Sequence, residues 1–179
     1  AAIVAVGTNS SEGADRASME LPESEVVLIH DTAARCRELG IPCIVVLNVC
    51  GPVETASWED EVDGVLLIWL AGMELGHATA ALLAGDENPS GKLVCSWPRR
   101  YVDTPSALNF PGEDGEVWYG EGLHVGYRYY DAAQVAPQYP FGYGLSYTRF
   151  ELSNLRLSAQ QLDLDVDEKI QIAVDVTNT

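Results

Sequence analysis

Lysine is almost absent from this sequence. Lys92 and Lys169 are the only two, and with arginine they make 10 basic residues against 27 acidic ones, a net charge of −17. A field of that sign repels phosphate backbones and anionic headgroups, so it argues against nucleic acid and a membrane surface as partners and favours an uncharged substrate. Long apolar runs are also missing. The longest, Val65 to Ala71, has the length of a strand, whereas a membrane-spanning helix needs about 20 apolar residues. With 47% hydrophobic and 21% charged residues over 179 positions, the composition is that of a globular chain holding one core and part of a second.

The spacings of metal, cofactor and nucleophile chemistry are lacking as well. The four cysteines, Cys36, Cys43, Cys50 and Cys95, lie on or beside apolar segments without a C-x-x-C pair, and read as buried free thiols, which favours a cytoplasmic location. His30, His77 and His124 have no carboxylate or cysteine at ligand spacing, so no zinc site is expected. Glu59, Asp60, Glu61 and Asp63 lack the glycine and spacing of a calcium loop and read as a solvated helix start. No G-x-S-x-G elbow is present, and neither G-x-G-x-x-G nor a phosphate-binding lysine follows Gly72 and Gly76. No metal and no cofactor is expected.

What the sequence does have is a long polar loop. GTNSSEGADRASMELP, Gly7 to Pro22, follows an apolar strand, Ala1 to Val6, and ends on a proline that can open a helix. Strand-to-helix connections usually take about 2 to 6 residues, and longer ones are commonly functional. This one carries Glu12, Asp15 and Arg16 behind Gly7 and Gly13, at the carboxyl edge of a strand, where open α/β sheets keep their ligand sites. The chain already opens within a strand, so a preceding segment is expected and secretion is left open.

Beyond the loop, Val26, Ile29, Ala33 and Cys36 recur at helical spacing, predicting a helix over Glu23 to Leu39 that stops at Gly40 and Pro42. Cys43 to Val49 and Val65 to Leu70 read as buried strands, His77 to Ala84 as a short helix capped by Gly85, and Leu93 to Trp97 as a further strand. The order predicts an α/β fold, a mostly parallel sheet covered by helices. From Pro98 to Tyr147 periodicity fades while aromatics rise, which predicts an irregular strap burying its rings against a neighbouring surface. Trp58, Trp69, Trp97 and Trp118 read as core or interface. After Phe150, Phe150/Leu152, Leu155/Leu157 and Ile170, Ile172, Val174, Val176 alternate as half-buried strands do.

Five pieces in order carry a resemblance. GTNSSEGADRASMELP, the strand VVLNVCGPVE with Trp58 behind it, AGMELGHATAALLAGDENPSGKL, EGLHVGYRYYD and PFGYGLSYTRF are similar to family 3 glycoside hydrolases, the β-glucosidase and β-xylosidase family. The resemblance implies that residues 1–110 are the second half of that family's α/β sandwich domain, 111–149 an interdomain strap, and 150–179 the opening of a fibronectin type III-like domain. It also implies a piece of a larger enzyme, whose aspartate nucleophile lies on a missing N-terminal barrel.

On the same resemblance, Glu12 stands at the family's general acid/base position. Asp15 and Arg16 are expected to position the loop or to reach a sugar hydroxyl. The implied reaction is exo-acting, retaining hydrolysis of a terminal β-linked glucose or xylose, from an oligosaccharide or aryl glycoside. It needs two carboxyls about 5 to 5.5 Å apart, one attacking and one trading a proton. The alternative is a carbohydrate-binding or structural module without turnover. Assembly into a homo-oligomer stays open.

Overall fold

The computed structural model describes residues 1–10, 12–161 and 169–179, so Ser11 of the polar loop and 162–168 of the C-terminal segment lie outside the described residues. The chain divides into two compact units, Ala1–Glu87 with Gly91–Gly144, and Asn88–Ser90 with Leu145–Thr179.

In the first unit, β1 (Ala2–Gly7), β2 (Cys43–Asn48) and β3 (Gly64–Leu67) form a three-stranded parallel sheet in that order. Val4 lies opposite Val45 and Val6 opposite Leu47, while Val46 pairs with Leu66. β2 is central and its side chains Val45, Val46 and Leu47 are all buried, which is why its sequence is a continuous β-branched and apolar run rather than an alternating one. Helix α1 (Glu23–Leu39) packs on this sheet through Ile29, Ala33 and Cys36, all buried and spaced by four and three residues. Burying Ile29 completely contributes about 1.5–3 kcal/mol. α1 closes where the N–H groups of Gly40 and Ile41 donate to the carbonyls of Arg37 and Cys36.

Three elements depart from the sequence expectation. β3 ends at Leu67 rather than Leu70: its last pair with β2 is Leu67 with Leu47, the Ile68 N–H donates once more to the Leu47 carbonyl, and the backbone then turns out of the sheet at Trp69, φ 48°. Helix α2 (Leu75–Ala84) begins two residues before His77, with Glu74 Oε2 2.6 Å from His77 Nδ1 across its first turn. Although α2 is apolar, none of its residues is buried. Leu93 to Trp97 is not a strand. It makes one antiparallel bridge, Trp97 to Tyr139, flanked by Leu93 N–H to Tyr143 O and Gly142 N–H to Leu93 O, both 2.8 Å. Its partner segment carries Pro137 and Pro140, which lack the N–H a ladder requires.

The aromatic region is more structured and more exposed than its sequence suggests. It contains a third helix, α3 (Tyr127–Ala133), on which Tyr130 is buried. Trp118 (74% exposed), Tyr119 (86%) and Phe141 (52%) are not covered by these residues. Residues 138–143 are fixed instead by a polar network centred on Glu59. Its carboxylate accepts from Thr55 Oγ1 at 2.6 Å, from Gln138 Nε2 at 2.8 Å and from the Tyr139 hydroxyl. Burial and this bond to Glu59 hold the Tyr139 hydroxyl well above the usual phenol range. Nearby, the Trp97 indole donates to the Val53 carbonyl at 2.7 Å. Glu59 does open a short helix, a 3-10 turn over Glu59–Glu61, but it is a structural acceptor rather than a solvated carboxylate, as are Asp63, which receives the Cys43 N–H at 2.8 Å, and Glu61, 3.0 Å from His30.

In the second unit, β4 (Phe150–Leu157) pairs antiparallel with β5 (Ile172–Asn178). The apolar alternation slips phase between Leu152 and Leu155, and the structure explains the slip. Three steps from Ser153 to Arg156 face two from Asp175 to Ala173, a bulge in which Asn154 takes a positive φ of 53°. Asp175 accepts from Arg156 at 2.6 Å and Asn154 at 2.9 Å, bonds that hold its carboxyl below the usual carboxylate range.

Candidate active site

The polar loop leaves the sheet at a point of close approach. A Cβ on Gly7 would lie 2.7 Å from the Asn48 carbonyl oxygen, so only glycine lets β1 run this near β2 before the chain turns out. Here the Gly7 N–H donates to Glu25 Oε2 at 2.9 Å. Glu25 sits in the first turn of α1, where a carboxylate is also favoured by the helix dipole.

The returning half of the loop is held by three further contacts. Arg16 is half-buried and its Nη2 donates to the Pro52 carbonyl at 2.8 Å, while its Nη1 is buried with no acceptor among the described residues. The Glu54 N–H donates to the Met19 carbonyl at 2.9 Å, and Leu21 is plugged into the core. Arg16 therefore ties the loop to the segment following β2, and it is not paired with Asp15.

Between these fixed points the tip projects. Glu12 and Gly13 form a turn, with Gly13 at φ 81°, a conformation other residues rarely adopt. Glu12 and Asp15 are both exposed, and neither carboxylate has a hydrogen bond or ion pair among the described residues. The structure places Glu12 on a short free tip with firmly fixed ends, an arrangement that can present a carboxyl to a neighbouring surface. A cleft of about 590 Å³ nearby is lined by Glu20, Glu23, Glu54, Arg99 and Arg100 among others, but not by Glu12, Asp15 or Arg16. Among the described residues, no group of three or more His, Cys, Asp or Glu side chains is placed to hold a metal ion.

Sequence reasoning missed the parts that brace the loop. The Pro52 carbonyl has no side-chain signature at all. Glu25 carried one faint signal, an acceptor in the first turn of a helix that follows a strand by a single loop. The expectation of buried free thiols holds for Cys36 and Cys43, while Cys95 is half-buried and Cys50 is exposed beside the loop, its sulfur 3.9 Å from Thr8 Oγ1.

Hydrogen bonding from Ser10 and then Thr8, with the charge of Arg16, holds the Cys50 thiol below its ordinary range, whereas burial pushes Cys43 and Cys95 up. The thiolate is the nucleophile, and its fraction falls as pH drops below the thiol's pKa. Iodoacetamide at neutral pH should therefore alkylate Cys50 about 10-fold or more faster than the other three, and its labelling should persist to lower pH than that of an ordinary thiol. Peptide mapping by mass spectrometry reads this directly, and equal labelling of Cys95 would contradict it.

Comparison with known proteins adds an independent line. Residues 1–147 match the glycosyl hydrolase family 3 C-terminal domain. The chain is 46% identical over 168 residues to a thermostable beta-glucosidase B of Acetivibrio thermocellus, covering 94% of this chain and 21% of that protein. It is 38% identical over 177 residues to an exo-alpha-(1->6)-L-arabinopyranosidase of Bifidobacterium longum, covering 92% of this chain and 23% of that protein. Among solved structures, beta-glucosidase 3B of Thermotoga neapolitana in complex with alpha-D-glucose superposes with a TM-score of 0.89 at 43% identity, over 99% of this chain and 25% of that one. The chain thus spans about a fifth of the length of these curated relatives.

Proposed function

The chain belongs to glycoside hydrolase family 3, and from that membership we propose that it is part of an exo-acting, retaining β-glycosidase of β-glucosidase type in which Glu12 is the general acid/base. The observation that carries this reading is the loop itself: a carboxylate with no partner among the described residues, on a tip whose two ends are fixed to the carboxyl edge of a parallel sheet. Glu12 first protonates the departing glycosidic oxygen. It then takes a proton from the water that releases the sugar from the enzyme.

The aspartate nucleophile belongs, on this reading, to an N-terminal barrel outside these residues. Docking of the loop against the barrel would exclude water from around Glu12 and bring its carboxyl beside the departing oxygen. Support for a docked neighbour comes from apolar surface left uncovered here, including Met73, Trp118 and Leu123. Arg16 is assigned to loop positioning, and Asp15 to positioning or sugar contact. Residues 150–179 are assigned to the start of a fibronectin type III-like domain, since two strands with exposed apolar side chains need further strands to bury them.

The substrate is a terminal β-glucoside, with β-xyloside as the second choice, and the barrel sets the distinction. The test is hydrolysis by the full-length protein of 4-nitrophenyl β-D-glucopyranoside and the matching β-xylopyranoside, followed by NMR of the first sugar released. The β-anomer should form first. An initial α-anomer would contradict the retaining scheme, and no hydrolysis of either would favour a binding or structural module.

A further inference from the structure

The contact between Gly7 and Glu25 points to a role that the acid/base assignment does not by itself contain. Gly7 is the last residue of β1 and the root from which the Glu12 loop departs; its N–H donates to Glu25 Oε2 at 2.9 Å across 18 residues of sequence. On its other side Gly7 is pressed against the Asn48 carbonyl. The root is therefore clamped between β2 and the first turn of α1. Beyond the root, the Thr8 hydroxyl lies 3.9 Å from the Cys50 sulfur, and on the returning half Arg16 donates to the Pro52 carbonyl.

We propose that Glu25 is a positioning residue for the Glu12 loop, its side-chain oxygen fixing the backbone direction in which the loop leaves the sheet. The inference rests on the reading of Glu12 as the acid/base. Glu12 lies five residue steps beyond Gly7, an arm of up to about 17 Å if extended, so a rotation of only ~5° at the root moves the tip by about 1.5 Å. A displacement of that size at a reacting group can cost about 10²-fold in rate. The contact needs an acceptor and not a charge: an amide oxygen at the same place receives the Gly7 N–H equally well, whereas a methyl group leaves that N–H without a partner.

The test uses the full-length protein and compares kcat/KM for an alkyl β-glucoside, whose poor leaving group needs protonation, with that for 2,4-dinitrophenyl β-glucoside, which does not. Glu25→Ala should lower the first about 10- to 100-fold and the second by less than about 3-fold, and Glu25→Gln should restore the first to near the parent value. If Glu25→Ala is not recovered folded, Glu25→Asp, one methylene too short to reach, gives the same readout. Equal loss on both substrates, or Glu25→Gln no better than Glu25→Ala, overturns the proposal. Failure of the acid/base reading is separately visible, because Glu12→Gln would then lack leaving-group dependence in the same assay.

Discussion

In the full-length protein, Glu12→Gln should slow hydrolysis of an alkyl β-glucoside by about 10² to 10⁴, the range that general acid catalysis supplies. The substitution keeps the shape of the side chain and removes its ionisable proton, so the loss lies in chemistry and not in the fold. In residues 1–179 alone, where Glu12 is exposed and unpartnered among the described residues, the same substitution should change stability by about 0.5 kcal/mol or less, as is usual for surface sites. With 2,4-dinitrophenyl β-glucoside the leaving group departs unassisted, so formation of the glycosyl-enzyme should be largely spared while its hydrolysis slows for want of a base. Asp15→Asn, three residues along the same loop, should show no such dependence on the leaving group. Two variants that behave alike would remove Glu12 from its role.

Residues 1–179 expressed alone should give no measurable hydrolysis of an aryl β-glucoside, an effect larger than any single substitution. Covalent catalysis needs a nucleophile, and the proposal places it on the barrel. Far-ultraviolet circular dichroism provides the control that the sheet and helices have formed. Turnover by the isolated residues, abolished by no substitution of Glu12, would overturn both the division of labour between domains and the two-carboxylate scheme.

Local order was legible in the sequence to different depths, and the differences have physical causes. α1 was readable from end to end because its buried stripe of Ile29, Ala33 and Cys36, its opening proline and its closing glycine are all local signals. β2 was equally plain, since a strand covered on both faces needs a run of apolar residues. The end of β3 is not legible because an apolar run does not record where the backbone leaves the sheet, and here pairing ends at Leu67 and the chain turns at Trp69. Leu93 to Trp97 resembled a strand because the prolines that deny it a ladder lie about 40 residues later, in a partner that sequence order does not identify. Glu59 was misread for the same reason: two of its donors, Gln138 and Tyr139, are 79 and 80 residues away.

The site was legible in an uneven way. Length and polarity marked the loop, and the strand before it gave its place at the sheet edge. The selection of Glu12 over Asp15 came from resemblance and not from pattern. The clamp on the loop could not have been found this way, because the Gly7 N–H, the Pro52 carbonyl and the Met19 carbonyl are backbone groups that every residue possesses. Only the fold decides which of them meet Glu25, Arg16 and Glu54.

The assignment of the acid/base to Glu12 is tested most directly by the product that the full-length Glu12→Gln protein forms from 2,4-dinitrophenyl β-glucoside in the presence of sodium azide. Azide needs no general base, and it can enter the space from which the carboxylate charge has been removed to attack the glycosyl-enzyme on the face that water uses. Turnover should rise with azide concentration and NMR should identify β-glucosyl azide, with no comparable adduct from the parent protein or from Asp15→Asn. Glucose as the sole product, with a rate indifferent to azide, would contradict the assignment.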